Sequence, residues 1–246
     1  MINPNGIIVY EGPSRLDNKP IVVIATGLKQ NSTNAKTGAM IQTYILRQDI
    51  APAEAVKTGE DVSICGDCVH RGDGTGKGRS CYVTLFHGPR GVYGAYSRKV
   101  YAKADLKDVA KAVGGRMVRL GTYGDPAAVP LSVIEALTKS ALGHTGYTHQ
   151  WRKAGRDYAK YCMASADTEA DMHEAHNLGF RTFRVTSGPN ENIKGLEIVC
   201  PASEEAGRKT SCVDCKACMG TSGKAKVSIQ IAAHGAGKNH VKGESK

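Results

Sequence analysis

Short apolar runs alternate with amphipathic stretches along this chain. Ile21 to Ala25 is a continuous apolar run of strand length and predicts a buried strand. The segment after it, GLKQNSTNAKTG, is loop chemistry, and Met40 to Arg47 (MIQTYILR) predicts a second strand. From Asp105 the period changes. Asp105 can cap a helix with Leu106, Val109, Ala110 and Val113 at helical spacing, ended by Gly114 and Gly115. Arg116 to Leu120 predicts a strand, and Pro130 opens a helix with Val133, Ile134 and Leu137 on one face that stops near Gly143. Gly146 to Trp151 reads as a strand end or loop, and Tyr161 to Ala164 as a strand. Thr168 with Asp171 makes a capping-box-like start, with Gly179 as the stop. Arg181 to Val185, Glu197 to Cys200 and Val227 to Ala232 predict three further strands.

Strand, helix, strand with short links predicts parallel β/α units. The expected fold is α/β: a TIM-like β/α barrel, complete or partial, with cysteine-rich metal-binding insertions. Two early strands and six later ones would supply a full barrel, and an open α/β sheet is the alternative. The expected division is residues 1–103 for the N-terminal strands and first cysteine segment, 104–234 for the β/α region and second cysteine cluster, and 235–246 for a basic flexible tail.

The chain has 246 residues, 41% hydrophobic and 23% charged, enough for a core without disulfide staples. No run is long and apolar enough to span a bilayer, and residues 1–10 lack a signal-peptide pattern. The expectation is a soluble protein of the cytoplasm, where the eight cysteines stay reduced and their grouping points to metal or redox chemistry. A net charge of +10 favours a polyanionic partner, DNA or another nucleic acid. The basic residues are spread along the chain without an arginine-rich motif, and Lys224 to Lys246 can serve as a phosphate-contacting arm.

The strongest local signal is Cys212-Val-Asp-Cys215-Lys-Ala-Cys218. Three thiolates at this spacing can face one ion from a tight loop, and they favour zinc, with an iron–sulfur centre as the alternative. Candidates for a fourth ligand are Cys200 and His234. The second signal is Cys65-Gly-Asp-Cys68 with Cys81, and with His70 and His87 nearby. A CxxC pair with a more distant Cys or His suits zinc and equally an iron–sulfur cluster. The two clusters can also converge on one site. Cys162, in an apolar strand, reads as core. The glycine-rich segment 72–78 lacks a phosphate-loop frame.

Asp125 and Asp167 each follow a predicted strand. At one barrel mouth, two carboxylates can act as nucleophile and general acid/base, although each residue alone also fits a turn or helix start. Tyr123, Tyr147, His149, Gln150 and Ser165 sit at matching strand ends, where aromatics and an amide can stack on and bond a base. His173 and His176 read as surface of a helix, and His144 as polar filler beside a buried Trp151. Radical enzymes that cleave S-adenosylmethionine also combine β/α barrels with three cysteines. Their CxxxCxxC spacing is matched by neither cluster, and that class stands as an alternative function, as does a non-catalytic zinc protein that binds nucleic acid.

The segments NSTNAKTG, MIQTYILR, SICGDCVHRG, RLGTYGDPAAVP, HTGYTHQW, MASADTEAD and CPASEEAGRKTSC resemble a widespread family of tailed-phage proteins. That resemblance implies a bacteriophage origin and a host-cell cytoplasmic setting more than an activity. A weaker resemblance is to queuine tRNA-ribosyltransferases and their DNA-acting phage relatives, the DpdA enzymes. It rests on Cys200, then Cys212, Cys215, Cys218 and His234, similar to that family's zinc layout. The spacing is CxxC where the family has CxC, the chain is much shorter, and the first cysteine cluster has no counterpart there. The resemblance implies a DNA-modifying enzyme that exchanges guanine for a 7-deazaguanine base, with Asp125 or Asp167 as nucleophile and the other as acid/base.

Overall fold

The computed structural model describes residues 5–207 and 209–241. Ten strands form two five-stranded sheets. The first has the order β1 (Gly6–Pro13), β2 (Pro20–Thr26), β3 (Ile41–Arg47), β4 (Met117–Tyr123), β5 (Gly143–Thr145). Its first three strands are antiparallel, and β3, β4 and β5 run parallel. The second sheet is wholly parallel, with the order β6 (Tyr147–Thr148), β7 (Met163–Ala166), β8 (Thr182–Thr186), β10 (Ser228–Ala232), β9 (Glu197–Val199). The α/β class with parallel-rich sheets is therefore present. Among the described residues, no strand pairing closes the two sheets into a ring.

The sheets meet where β5 and β6 are separated by Gly146 alone. Its N–H donates to the Cys218 carbonyl at 3.3 Å, and its carbonyl accepts from Met163 at 2.9 Å. A Cβ there would lie 2.7 Å from the Tyr161 carbonyl oxygen and 2.9 Å from Cys162 Sγ. Only glycine lets the chain pass from one sheet to the other so close to its neighbours.

Burial explains the apolar runs. Ile21 to Ala25 are all at most 1% exposed because β2 is covered on both faces. Helix α4 (Leu106–Val113) buries Val109, Ala110 and Val113, and α5 (Leu131–Thr138) buries Val133, Ile134 and Leu137. Helix α7 (Glu169–Asn177) carries the expected capping box between Thr168 and Asp171. The sheet does not break near Lys103. β3 pairs with β4 across that position, and one hydrophobic cluster runs from Ile8 to Phe180. A second, smaller cluster joins Met163, Ala202, Ala217, Ile229 and Ile231 to the C-terminal cysteines.

Three features were not legible in the pattern. β1 is an edge strand with a register shift between Ile8 and Tyr10, which blurs its alternation. Between β3 and β4 lie α1 (Pro52–Thr58), α2 (Val62–Cys65) and α3 (Gly88–Ser97), the last containing three glycines. Residues 235–241 are not an isolated tail, since Gly235 packs on Tyr82 and Gly237 on Arg79 and Ser80. Residues 242–246 lie outside the described residues. Among the described residues, no helix is long and apolar enough to cross a membrane.

Two buried polar groups punctuate the interior. Arg184 of β8 grips Glu197 of β9 with two hydrogen bonds of 2.9 and 2.7 Å, both side chains nearly fully enclosed. His144, read as loop filler, lies inside β5, only 4% exposed and beside the Tyr161 ring. Burial pulls its pKa from 6.5 down to about 4, partly offset by the Tyr161 and Met219 carbonyls. The unfolded imidazole takes up a proton before the folded one does, so this contribution to stability is complete above pH 6.5 and is lost as the pH falls toward 4. Between pH 7 and pH 5, wild type should lose about 2 kcal/mol more unfolding free energy than His144→Gln, measured by urea denaturation.

Candidate functional site

Both cysteine segments line one cavity of about 390 Å³ between the sheets. Cys65, Cys68 and Cys81 lie on one wall, and Cys200, Cys212, Cys215 and Cys218 on another. All eight cysteines are free thiols, and Cys162 is buried in the core as expected.

The first wall begins where α2 ends at Cys65. Gly66 turns the chain with φ +60°, and the Gln150 amide presses so close that a Cβ would lie 2.4 Å from it. Gln150 Nε2 donates to the Cys65 carbonyl at 3.2 Å. Gln150, expected to touch substrate, is 2% exposed and instead braces the cysteine turn. The chain then makes a 3-10 turn at Val69–Arg71, which presents His70. Ser80 Oγ lies 2.6 Å from His70 Nδ1 and orients the imidazole, while the Cys81 amide donates to the His70 carbonyl and holds its backbone.

His70 Nε2 lies 3.2 Å, and His149 Nε2 3.5 Å, from the same oxygen, Asp167 Oδ1. The two rings meet edge to face with centroids 5.1 Å apart. Both Nε2 atoms are buried, and neither is aligned for a hydrogen bond. Among the described residues, this is the group of three metal-ligand types whose donor atoms all lie within 4.8 Å of one another. Burial alone would raise the Asp167 carboxyl, but the His149 and His70 imidazoles overrule it and hold it far below the usual carboxylate range. Burial likewise opposes the charged form of His149, while Cys68 and Asp167 push its pKa well up. Sequence reading had placed Asp167 and His149 in a pocket but left His70 among the cysteine neighbours. Nothing in the spacing of positions 70, 149 and 167 brings them together.

Asp125 has a different task. Its Oδ1 accepts the Ala127 amide at 2.9 Å and its Oδ2 the His149 amide at 2.8 Å, while its own amide donates to the Ile64 carbonyl. Burial pushes its pKa up, against the pull of those amides. With both oxygens engaged, Asp125 is a brace between the end of β4, α2 and the residue after β6, not a free nucleophile. Tyr123 is buried with its hydroxyl unpaired, and it lines the cavity with Ser165. On the helix, His173 is exposed beside Glu169, as expected, whereas His176 Nε2 lies 3.0 Å from Ser228 Oγ.

The second wall is built on β9, which leads into Cys200-Pro201, and on the one-turn helix α8 (Cys212–Cys215), capped by Ser211. The Cys212 amide donates to the Lys36 carbonyl. Arg181 holds the loop beyond α8 by donating to the carbonyls of Ala217 and Gly220 at 2.8 and 2.9 Å. The Tyr147 ring packs 4.5 Å from Phe183, and both line the cavity beside this cysteine set. His234 lines the same cavity as the thiols. It is exposed, stacks 5.3 Å from Tyr82, and interacts with Lys36, Glu205 and Arg119. Between the walls, Arg119 lines the cavity. Its Nη2 donates to the Tyr82 hydroxyl, its Nε has no partner, and no carboxylate pairs with it.

Asp125→Ala should cost about 3 kcal/mol of unfolding free energy, because two buried amides lose a charged acceptor. Chemical denaturation measures it. An unchanged stability would return Asp125 to the role of a free catalytic carboxylate.

No family model, no curated protein and no solved structure matches the chain.

Proposed function

We propose that the chain is a metal-dependent enzyme whose catalytic divalent ion is held by His70, His149 and Asp167, and whose substrate is an anionic, base-bearing molecule of the nucleotide class. One observation carries the reading: two buried imidazole nitrogens converge on one carboxylate oxygen without hydrogen-bond alignment. Two imidazoles and a carboxylate are the donor set of open catalytic sites, which keep positions for water or substrate, and His149, whose pKa Cys68 and Asp167 push up, would give up its proton as the ion binds. Such an ion activates water or polarises a substrate oxygen. The protein's own part is orientation. Ser80 turns His70, the Asp125 carboxylate holds the backbone of His149, and Thr168, the residue after Asp167, caps α7.

The substrate class rests on the cavity. Arg119 faces it without a counter-ion, and Tyr82 and Phe183 offer rings beside it. A cavity of about 390 Å³ suits a small ligand, and the net charge of +10 favours an anion. The proposal keeps DNA or its nucleotide precursors as the partner and modification of a base as the activity. It replaces two-aspartate base exchange with metal-assisted chemistry, since Asp125 is engaged and Asp167 sits between two imidazoles.

The test is titration of the metal-free chain with cobalt(II), followed by its visible spectrum. Wild type should bind one ion that His70→Ala, His149→Ala and Asp167→Asn each weaken by roughly 100-fold. Equal cobalt uptake by wild type and all three variants would refute the centre.

A further inference from the structure

The C-terminal thiols raise a separate question, which is the kind of centre they hold. A zinc ion with Zn–S bonds of about 2.3 Å places its four sulfurs roughly 3.8 Å apart. Among the described residues, no three thiols have sulfurs within 4.8 Å of one another. Yet Cys200, Cys212, Cys215 and Cys218 pack in one hydrophobic cluster and line one cavity. Their spacing exceeds what a single tetrahedral ion sets, and the shared cluster leaves them one larger centre to hold.

The covalent pattern agrees. Three cysteines at CxxCxxC spacing in one short loop, completed by a remote Cys-Pro, match the ligand types of ferredoxin-like clusters. Here the Cys-Pro pair, Cys200-Pro201, lies upstream of the triplet, and tertiary structure brings it in. The shell agrees as well. Ala202, Ala217, Ile229 and Ile231 pack around the thiols. The positive charges of Lys36 and Arg119 act on Cys212 and offset a polyanionic centre.

We infer that Cys200, Cys212, Cys215 and Cys218 hold a [4Fe–4S] cluster, one thiolate to each iron, on the cavity wall facing the His70–His149–Asp167 group. With every iron ligated by protein, no iron is open to S-adenosylmethionine. The cluster is an electron carrier or a structural centre, and the radical class is disfavoured for these four cysteines. This inference does not depend on the proposed divalent ion, because the two ligand sets share no residue.

The test uses the full chain, purified without oxygen or reconstituted with ferrous iron and sulfide. Wild type should be brown, with about four irons and four sulfides per chain. Cys212→Ser and Cys215→Ser should lose most of both, while Cys68→Ser and His149→Ala retain them. A Mössbauer spectrum of wild type gives the nuclearity without any variant, in case the serine variants fail to fold. A colourless chain with one zinc and no sulfide, or an unchanged iron content in Cys215→Ser, would overturn the assignment. Loss of cobalt binding in His149→Ala with the iron content intact would bear on the divalent site alone.

Discussion

The buried carboxylate of Asp125 ties together what the rest of the site requires. It receives the amides of Ala127 and His149, and its own amide reaches the Ile64 carbonyl. A charged acceptor in a dry interior forms strong hydrogen bonds, and their loss strands the donors. One residue therefore fixes three things: its carboxylate holds the end of β4 and the position of His149, and its backbone amide holds the start of the first cysteine segment at α2. The nearby packing of Gln150 against Gly66 acts in the same direction by pinning the Cys65 turn.

This arrangement gives the cavity two chemically distinct walls. One presents imidazoles and a carboxylate in a charged cluster, and the other presents thiols in an apolar shell. The physical consequence differs between them. Asp167 is already held ionised by its two histidines. In contrast, burial pushes the Cys218 thiol up to about 12, so a metal centre loading there must displace protons. Arg119 lines the cavity, and among the described residues no carboxylate pairs with it.

Periodicity, caps and glycine stops marked the elements from Asp105 onward closely, because those helices and strands are short and regular and their buried positions form compact apolar runs. The Thr168–Asp171 capping box is an example. The same signals failed between Arg47 and Asp105, where short helices rich in glycine are held by packing and not by propensity. His144 was misplaced for a related reason, since a polar residue in a three-residue strand carries no alternation.

By itself the sequence determined the α/β class and the grouping of cysteines, both of which are local or compositional. Only the tertiary structure decided that, among the described residues, two five-stranded sheets form with no strand pairing that closes them into a ring. It alone made Asp125 a brace and joined His70 to His149 and Asp167. Those outcomes depend on which side chains the folded backbone brings within a few ångströms, and residues 79 and 97 positions apart carry no such record in their order.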